Sequence, residues 1–251
     1  MSFEVAADAY DSFMGRFSRL LSPQMADLAG VRPGQDALDV GCGTGALTEV
    51  LVDRLGAAHV TGVDPSQAFV EAARERFPEV RIEHGSAETL PFPDDTFDVS
   101  IAQLVVHFMS DPVRGLGEMA RVTKAGGVVA ACVWDHAGAG PLSLFWTAVR
   151  DLWPGAVDES SLPGAREGHL VELFEAAGLR RVDGSVVTAP LEMASFDAYW
   201  EPFTRGVGPA GSYLQELDPP DRERLRARAR ELVASEPFTV TARAWAARGV
   251  A

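Results

Sequence analysis

The 251-residue chain has few of the residues that build disulfide-stapled or metal-stabilised folds. It contains two cysteines, Cys42 and Cys132, whereas a small secreted scaffold carries more of them at staple-like spacings. Its five histidines are scattered, and no cysteine–histidine cluster has the spacing of a metal site. We therefore expect neither a disulfide framework nor a bound metal.

Long apolar runs and an excess of basic side chains are also absent. No apolar stretch reaches about 18 residues, so no transmembrane helix is predicted. The N-terminus lacks a basic segment followed by an apolar one, so a cytoplasmic protein is expected. The net charge of −14 disfavours a general nucleic-acid binder, which needs a basic surface. The one dense arginine run, residues 222–230, is interrupted and flanked by acids, which indicates a solvated helix.

The most informative segment runs from Leu38 to Gly45, where an apolar strand leads into three glycines at alternate positions. A helical pattern follows, and a second strand ends on Asp64, nineteen residues after Gly45. Glycines let the backbone turn tightly and let a ligand lie against it. The helix N-terminus offers unpaired N–H groups, and an acid at the tip of the next strand can accept two ribose hydroxyls. The segment therefore predicts a nucleoside site.

The glycine spacing distinguishes two classes of cofactor. A dinucleotide fingerprint reads G-x-G-x-x-G and admits a pyrophosphate, whereas Gly41, Gly43 and Gly45 form G-x-G-x-G. No basic residue lies near the turn to meet a phosphate. A nicotinamide-dependent oxidoreductase is therefore disfavoured.

Five segments, in order, resemble motifs of the class I S-adenosylmethionine-dependent methyltransferases, in particular the ubiquinone/menaquinone-type small-molecule branch. They are residues 39–47, 62–66, 85–92, 97–103 and 121–127. The resemblance implies S-adenosylmethionine as the cofactor and an SN2 transfer of its methyl group to a small, largely apolar molecule. Oxygen, nitrogen and carbon all stay open as the atom that is methylated.

The resemblance also implies roles for the residues around the turn. Asp39 is expected near the amino group of the cofactor, and Asp64 on the ribose hydroxyls. Cys42 is expected to be a small residue beside the ligand rather than a nucleophile. The methionine part and the ribose are expected to lie against three glycines, Gly41, Gly43 and Gly45.

The adenine side of the site depends on two later segments. The resemblance implies that Gln103 lies beside the methionine moiety. The family often has Asp where this chain has Ser86, so Glu88 either supplies the missing acceptor or serves as a helix-cap or loop carboxylate. The residues expected around the adenine are Pro65, Ser66, Ser86 and Ala87.

Three further residues are candidates with an alternative interpretation each. A sulfonium donor needs positioning before it needs a base, so a base is required only for a protonated acceptor. His107 is the candidate base, and a histidine that packs the following loop is the favoured alternative. In similar enzymes the N-terminal segment covers the cofactor, which makes Tyr10 and Arg16 candidate contacts. A core tyrosine and a surface arginine are the alternatives.

Short apolar strands alternate with helical segments, which is the pattern of a parallel sheet with right-handed crossovers. The prediction is a Rossmann-like α/β fold: a seven-stranded sheet, parallel with one antiparallel edge strand, and helices on both faces. One helix is expected at 112–123, ended by Gly126 and Gly127, with the fifth strand at 128–134. The other strands are expected at 36–40, 59–63, 80–83, 99–104, 180–191 and 238–247.

About 45 residues separate the sixth and seventh strands, far more than a hairpin loop needs. The predicted core is therefore residues 1–193 plus 238–251, and residues 194–237 form a helical cap over the carboxyl ends of the strands. The aromatic residues proposed to bind the acceptor are Tyr199, Trp200, Phe203 and Tyr213.

Two alternatives stay open at this point. A domain that binds the cofactor without catalysis is favoured only by the lack of a clear base. A methyltransferase of nucleic-acid amino groups is disfavoured, because residues 102–105 lack the N/D-P-P-Y/F motif of such enzymes. The pattern does not indicate an oligomeric state.

Overall fold

One seven-stranded sheet forms the centre of the chain in the computed structural model, which describes residues 14–136, 138–156, 158–206 and 208–251. The strand order is β3-β2-β1-β4-β5-β7-β6. Strands β1 to β5 pair in parallel, and β7 runs antiparallel to both β5 and β6. The predicted mixed sheet is confirmed, with the antiparallel strand one place in from the edge. The strands are β1 (Ala37–Val40), β2 (Val60–Asp64), β3 (Arg81–His84), β4 (Phe97–Gln103), β5 (Thr123–Trp134), β6 (Arg180–Met193) and β7 (Phe238–Val250).

Helices cover both faces of this sheet. Those of residues 14–136 and 138–156 are α1 (Arg16–Leu28), α2 (Ala46–Leu55), α3 (Gln67–Arg76), α4 (Pro112–Val122) and α5 (Ser143–Leu152). The remaining ones are α6 (His169–Ala176), α7 (Phe196–Thr204), α8 (Gly208–Glu216) and α9 (Pro219–Glu231). Helices α1, α2 and α3 pack into one core, and α4 and α6 pack into the core on the opposite face. Within the described residues, no helix has the length and apolar character needed to cross a bilayer.

Local capping explains where the helices near the site begin. The Ser66 hydroxyl accepts a hydrogen bond from the Phe69 N–H at 3.4 Å and caps α3, as a serine at this position favours. Asp111 accepts from the Arg114 N–H at 3.0 Å, and Pro112 then begins α4. Both helix starts agree with the prediction.

The boundary between α4 and β5 differs from the prediction. The helix ends at Val122 and the strand begins at Thr123, so the two glycines predicted to end the helix lie inside the strand. The Thr123 hydroxyl contacts the Met119 carbonyl and the Ser100 hydroxyl, each at 2.7 Å, and Thr123 pairs with Phe97 of β4. These contacts turn the chain directly from helix into sheet.

The long segment between β6 and β7 contains α7, α8 and α9. Its two ends are close together, because Met193 pairs with Phe238. Strand β6 has the same direction as β1 to β5, so this insertion leaves the sheet at the edge where those strands have their carboxyl ends. Ligands of open α/β sheets bind at that edge.

Candidate active site

The glycine turn after β1 has three residues in the left-handed region, with φ of +69° at Gly41, +55° at Gly43 and +90° at Gly45. A Cβ atom at Gly41 would overlap Val105, and one at Gly45 would overlap Phe77. A Cβ atom at Gly43 would have nothing within 4 Å. The outer glycines therefore permit close packing, whereas Gly43 leaves open space beside the backbone.

The carboxylate of Asp64 closes this turn from the tip of β2. One oxygen accepts from the Gly43 N–H at 2.9 Å, and the other accepts from the Ser66 N–H at 2.8 Å. Burial raises the pKa of Asp64, and the two backbone hydrogen bonds oppose that shift. Asp64 also lines the larger cavity described below. The same side chain therefore holds the glycine turn and borders the cavity.

Asp39 lies beneath the same turn and is 1% exposed. It accepts a hydrogen bond from the Thr48 hydroxyl at 2.7 Å. Burial raises the pKa of Asp39 to about 7; the Thr48 hydrogen bond opposes the shift and the charge of Asp64 adds to it. Asp39 and Cys42 line a small cavity of about 40 Å³, and burial raises the pKa of the Cys42 thiol well above its ordinary value. A thiol in that state is a poor nucleophile.

Gln103, at the end of β4, lines both this small cavity and the larger one. Its amide nitrogen donates to the Ser18 carbonyl and to the Ser22 hydroxyl, both at 3.1 Å, and so ties α1 to the site. Its amide oxygen is buried without a hydrogen-bond partner. An acceptor atom is therefore available beside Asp39.

The larger cavity has a volume of about 530 Å³ and opens at the carboxyl ends of β1, β2 and β4. The predicted residues that line it include Pro65, Ser66, Ser86, Ala87 and Glu88. The loop after β4 lines it as well, through residues that the sequence analysis missed: Leu104, Val105, Phe108, Met109, Ser110 and Asp111. Their only signal in the sequence is their place directly after a strand that ends at the ligand edge.

Glu88 is fixed by its neighbours in this cavity. Its carboxylate accepts from the Ser86 hydroxyl and, at 2.7 Å, from the Ser110 N–H. Burial acts to raise the pKa of Glu88, but these hydrogen bonds outweigh it and the pKa is lowered. A charged loop carboxylate is thus hydrogen-bonded to Ser86, the residue that stands where the family often has an Asp.

Comparison with known proteins identifies the family. Residues 38–131 match the family model described as "Methyltransferase domain". A demethylmenaquinone methyltransferase from Lysinibacillus sphaericus strain C3-41 is 32% identical over 205 residues, which cover 72% of this chain and 86% of that protein. The chain is a class I S-adenosylmethionine-dependent methyltransferase. Its relatives are enzymes, which supports methyl transfer over the non-catalytic alternative, and its cofactor is S-adenosylmethionine.

Two further proteins resemble this methyltransferase, one in sequence and one in structure. The rice protein 2-methyl-6-phytyl-1,4-hydroquinone methyltransferase 2, chloroplastic, is 36% identical over 150 residues, covering 58% of this chain and 39% of that protein. A solved structure of a putative methyltransferase from an antibiotic biosynthesis pathway of Anabaena variabilis superposes with a TM-score of 0.63 at 18% identity. The superposition covers 94% of this chain and 100% of that one. The likeness confirms the Rossmann-like fold.

Of the two N-terminal candidate contacts in this methyltransferase, Tyr10 and Arg16, the structure describes only Arg16. Tyr10 lies outside the described residues. Arg16, the first residue of α1, is exposed and lines neither of the two cavities described above. From residue 14 onward, where the structure describes this segment, Gly15 and Ser18 reach the small cavity.

His107 lies behind the wall of the larger cavity rather than in it. It belongs to a short 3₁₀ turn, Val106–Phe108, and its ring centroid is 3.9 Å from that of Phe108. The side chain is buried, and its Nδ1 atom has no hydrogen-bond partner. Burial lowers the pKa of His107 well below its ordinary value, so the imidazole is neutral.

The aromatic residues of the insertion do not line the larger cavity, contrary to the acceptor role expected for them. Tyr199, Trp200 and Phe203 are at most 4% exposed. The ring centroid of Phe203 lies 4.9 Å from that of Phe145 in α5. The Tyr199 hydroxyl donates to the Pro141 carbonyl and accepts from the Phe145 N–H, each at 3.3 Å. These rings are buried because the insertion covers α5, and they pack against the aromatic side chains Phe145 and Trp146 of that helix.

Tyr213 completes this packing from α8. It is partly buried, and its ring centroid lies 5.5 Å from that of Trp146 and 6.2 Å from that of Phe145. The four candidates thus join α5 to the insertion. Their role in binding the acceptor stays a prediction.

Proposed function

We propose that this methyltransferase methylates a small, largely apolar molecule held beside the glycine turn. The observation that carries the proposal is the larger cavity, which has carboxylates and backbone of the turn on one side and Leu104, Val105 and Phe108 on another. Small-molecule sites are mostly apolar with a few placed polar groups, and the volume of about 530 Å³ lies in their usual range. Two relatives named for demethylmenaquinone and a phytyl hydroquinone support an apolar acceptor.

The residues around the two cavities fit S-adenosylmethionine. We propose that Asp39 and the unpartnered oxygen of Gln103 hold the amino group, since both are acceptors beside the small cavity. Asp64 is proposed to accept the ribose hydroxyls with the lone pairs that Gly43 and Ser66 do not use. The open space next to Gly43 allows the ligand to approach the backbone.

The adenine is proposed to lie in the larger cavity, next to Pro65 and Ser66. Ala87 and the Ser86–Glu88 pair line the same wall, and the Glu88 carboxylate supplies a charged acceptor for the exocyclic amine. In this assignment Ser86, hydrogen-bonded to the Glu88 carboxylate, takes the role that an Asp often has in the family.

When bound, S-adenosylmethionine supplies a methyl carbon whose leaving group is a neutral thioether. The chain's own contribution is then to orient the acceptor and to exclude water. A site built from fixed backbone turns and buried side chains is suited to that task, because its groups do not need to reorganise.

The arginines of α9 support a small molecule rather than a nucleic acid as the acceptor. Arg226 contacts Asp197 at 2.7 Å, and Arg228 contacts Asp151 at 2.7 Å. Arg224 pairs with Asp221 at 2.7 Å within the helix. These arginines fasten α9 to neighbouring elements and offset acidic charge, so they do not form a basic surface. The cytoplasmic location stays a prediction.

The test combines a binding measurement with turnover. Calorimetry should show that the wild type binds S-adenosylhomocysteine. In Asp64→Ala the free energy of binding should be weaker by about 1.5–3 kcal/mol, the range for hydrogen bonds to a charged group. Asp53→Ala, at an exposed aspartate of α2 outside both cavities, is the matched control and should bind as the wild type does. Radiolabelled cofactor with a panel of hydroxylated aromatic compounds should then give methylated product. Binding without any turnover across the panel, or unchanged binding in a folded Asp64→Ala, would contradict the proposal.

A further inference from the structure

Buried polar atoms without partners gather around the carboxyl end of β5. Among the described residues, five buried side-chain nitrogen or oxygen atoms lack a hydrogen-bond partner: Gln103 Oε1, His107 Nδ1, Trp134 Nε1, His136 Nε2 and Trp245 Nε1. Gln103 pairs with Cys132 of β5, and Trp245 pairs with Val133 of the same strand. An unpaired buried polar atom costs free energy, so two such atoms on neighbouring side chains point to a ligand that supplies the missing partners, and His107 and His136 are such a pair.

The two histidines of this group face each other. The ring centroids of His107 and His136 are 5.3 Å apart, with an angle of 61° between the planes. His107 belongs to the 3₁₀ turn whose Phe108 lines the larger cavity, and His136 follows the end of β5 by two residues. The Phe108 ring lines the cavity and its centroid lies 3.9 Å from that of His107, so the histidine pair is adjacent to the space for the ligand.

The carboxyl group of Glu159 lies beside His136. One carboxyl oxygen accepts from the Trp146 indole N–H at 2.9 Å and lies 3.8 Å from His136 Nδ1. The carboxyl group therefore favours a proton on Nδ1, which leaves a lone pair on the unpartnered Nε2. The side chains of Glu159 and His136 are 8% and 4% exposed, so both groups are buried from bulk solvent.

The loop that carries His136 is held against β7. Asp135 accepts from the Gly138 and Ala139 N–H groups at 3.0 Å each, and from Arg243 Nε at 2.9 Å. The charges that act on His136 are those of Asp135 and Asp158, and both favour its protonation, but burial lowers its pKa to about 4. The imidazole is therefore a neutral hydrogen-bonding group at neutral pH.

We infer that His107 and His136 bind a hydroxyl group of the methyl acceptor, with His136 Nε2 accepting the hydrogen bond and Glu159 serving as a positioning residue. The inference rests on the proposed function, because it places the acceptor beside the cofactor cavity. A hydroxyl group both donates and accepts, which matches one lone pair and one N–H offered by two neutral imidazoles. The neighbouring rings of Trp134 and Phe108 suit an aromatic or otherwise apolar molecule.

A pair of probes that differ by one hydroxyl group tests this assignment. Equilibrium dialysis of 2-naphthol and naphthalene against the enzyme loaded with S-adenosylhomocysteine should show 2-naphthol binding about tenfold more tightly, the effect of one hydrogen bond. His136→Ala should abolish that preference. His136→Gln, which keeps an acceptor, should restore part of it and covers the case in which the alanine variant does not fold. His59→Ala, at an exposed histidine, is the matched control.

A spectroscopic measurement separates positioning by Glu159 from simple packing. The ¹⁵N shifts of His136 should report a proton on Nδ1 in the wild type and a mixture of tautomers in Glu159→Leu. Equal affinity for the two probes in the wild type, or a preference that survives both His136 variants, would overturn the inference while binding of S-adenosylhomocysteine persists. Failure to bind S-adenosylhomocysteine would instead overturn the proposed function.

Discussion

The carboxyl edge of the sheet is built in two different ways along its length. At β1, β2 and β4 the edge is open: a glycine turn and the three carboxylates of Asp64, Glu88 and Asp111 border a cavity of about 530 Å³. At β6 and β7 the same edge is covered, because the insertion packs aromatic rings against α5. The first region borders the space for a ligand, and the second region buries four of the five aromatic rings of the insertion: Phe196, Tyr199, Trp200 and Phe203.

The difference shows that one edge meets two separate requirements. The open region needs conformations that glycine alone adopts easily, and the hydrogen bonds of Asp64 that close the glycine turn go to Gly43 and Ser66, which are near it in sequence. The covered region depends on rings about 55 residues apart, such as Phe145 and Tyr199. Cofactor recognition is therefore local in sequence, whereas the shape of the rest of the edge is set by long-range packing.

The largest expected effect comes from breaking the covered region. Phe203→Ala should reduce the free energy of unfolding by about 3–5 kcal/mol, because a fully buried ring is removed and a cavity remains. The affinity of the folded variant for S-adenosylhomocysteine should be unchanged. Urea denaturation and calorimetry measure the two quantities. Tyr199→Phe, which keeps the ring and loses only its hydroxyl, is the milder control at about 1 kcal/mol. A large loss of affinity in Phe203→Ala would mean that the two regions are coupled.

An intermediate effect is expected inside the open region. Gly43→Ala should lower stability by about 1–2 kcal/mol, the cost of a left-handed conformation for a residue with a Cβ atom. Its methyl group enters the ligand space, so the affinity for S-adenosylhomocysteine should fall by about 1–3 kcal/mol, a usual cost of overpacking.

Gly41→Ala is the matched comparison for that substitution. Its Cβ atom overlaps Val105, so its loss of stability should exceed that of Gly43→Ala. Thermal denaturation orders the two variants. If Gly43→Ala binds normally, the open space beside that residue is not ligand space.

The smallest expected effect is a pH dependence centred on Asp39. Its pKa is raised to about 7 in the cofactor-free chain, and an ammonium group favours the carboxylate. The affinity for S-adenosylhomocysteine should therefore rise with pH through 7 and be about tenfold lower at pH 6 than at pH 8, since one pKa unit corresponds to 1.36 kcal/mol. Calorimetry at a series of pH values measures the trend. Asp39→Asn should flatten it, and an unchanged slope in that variant would assign the titration to another group.

The stability of the cofactor-free chain should show the opposite trend. Because the folded-state pKa of Asp39 is raised above its value in the unfolded chain, the protonated group stabilises the folded state below about pH 4. That contribution is lost as the pH rises through 7. Comparing the wild type with Asp39→Asn isolates this term from that of Glu159, whose pKa is also raised by burial.

The sequence predicted the open region well because its signals are local. The strand segments follow from apolar periodicity, the start of α3 follows from the Ser66 cap, and the turn follows from three glycines. The start of β5 was wrong because two glycines were read as a helix end, while the pairing of Thr123 with Phe97 decided the outcome.

The remainder of the site was not readable from the sequence. A run of aromatics in an insertion fits a ligand pocket and a packed interface equally, and only the position of α5 distinguishes the two. The contact between His107 and His136 joins two different loops, and nothing in the spacing of these residues indicates it. Long-range contacts of this kind are absent from any local pattern.

The position of β7 has a consequence for how the chain folds during synthesis. Strands β1 to β5 join through consecutive crossovers, but β6 has no hydrogen-bonded neighbour until β7 arrives between it and β5. While the 44 residues between Met193 and Phe238 leave the ribosome, β6 and one side of β5 are unpaired edges, which are sites of aggregation. Closure of the sheet is a late event that joins distant residues, which slows folding. A chaperone that shields these edges would act in this interval.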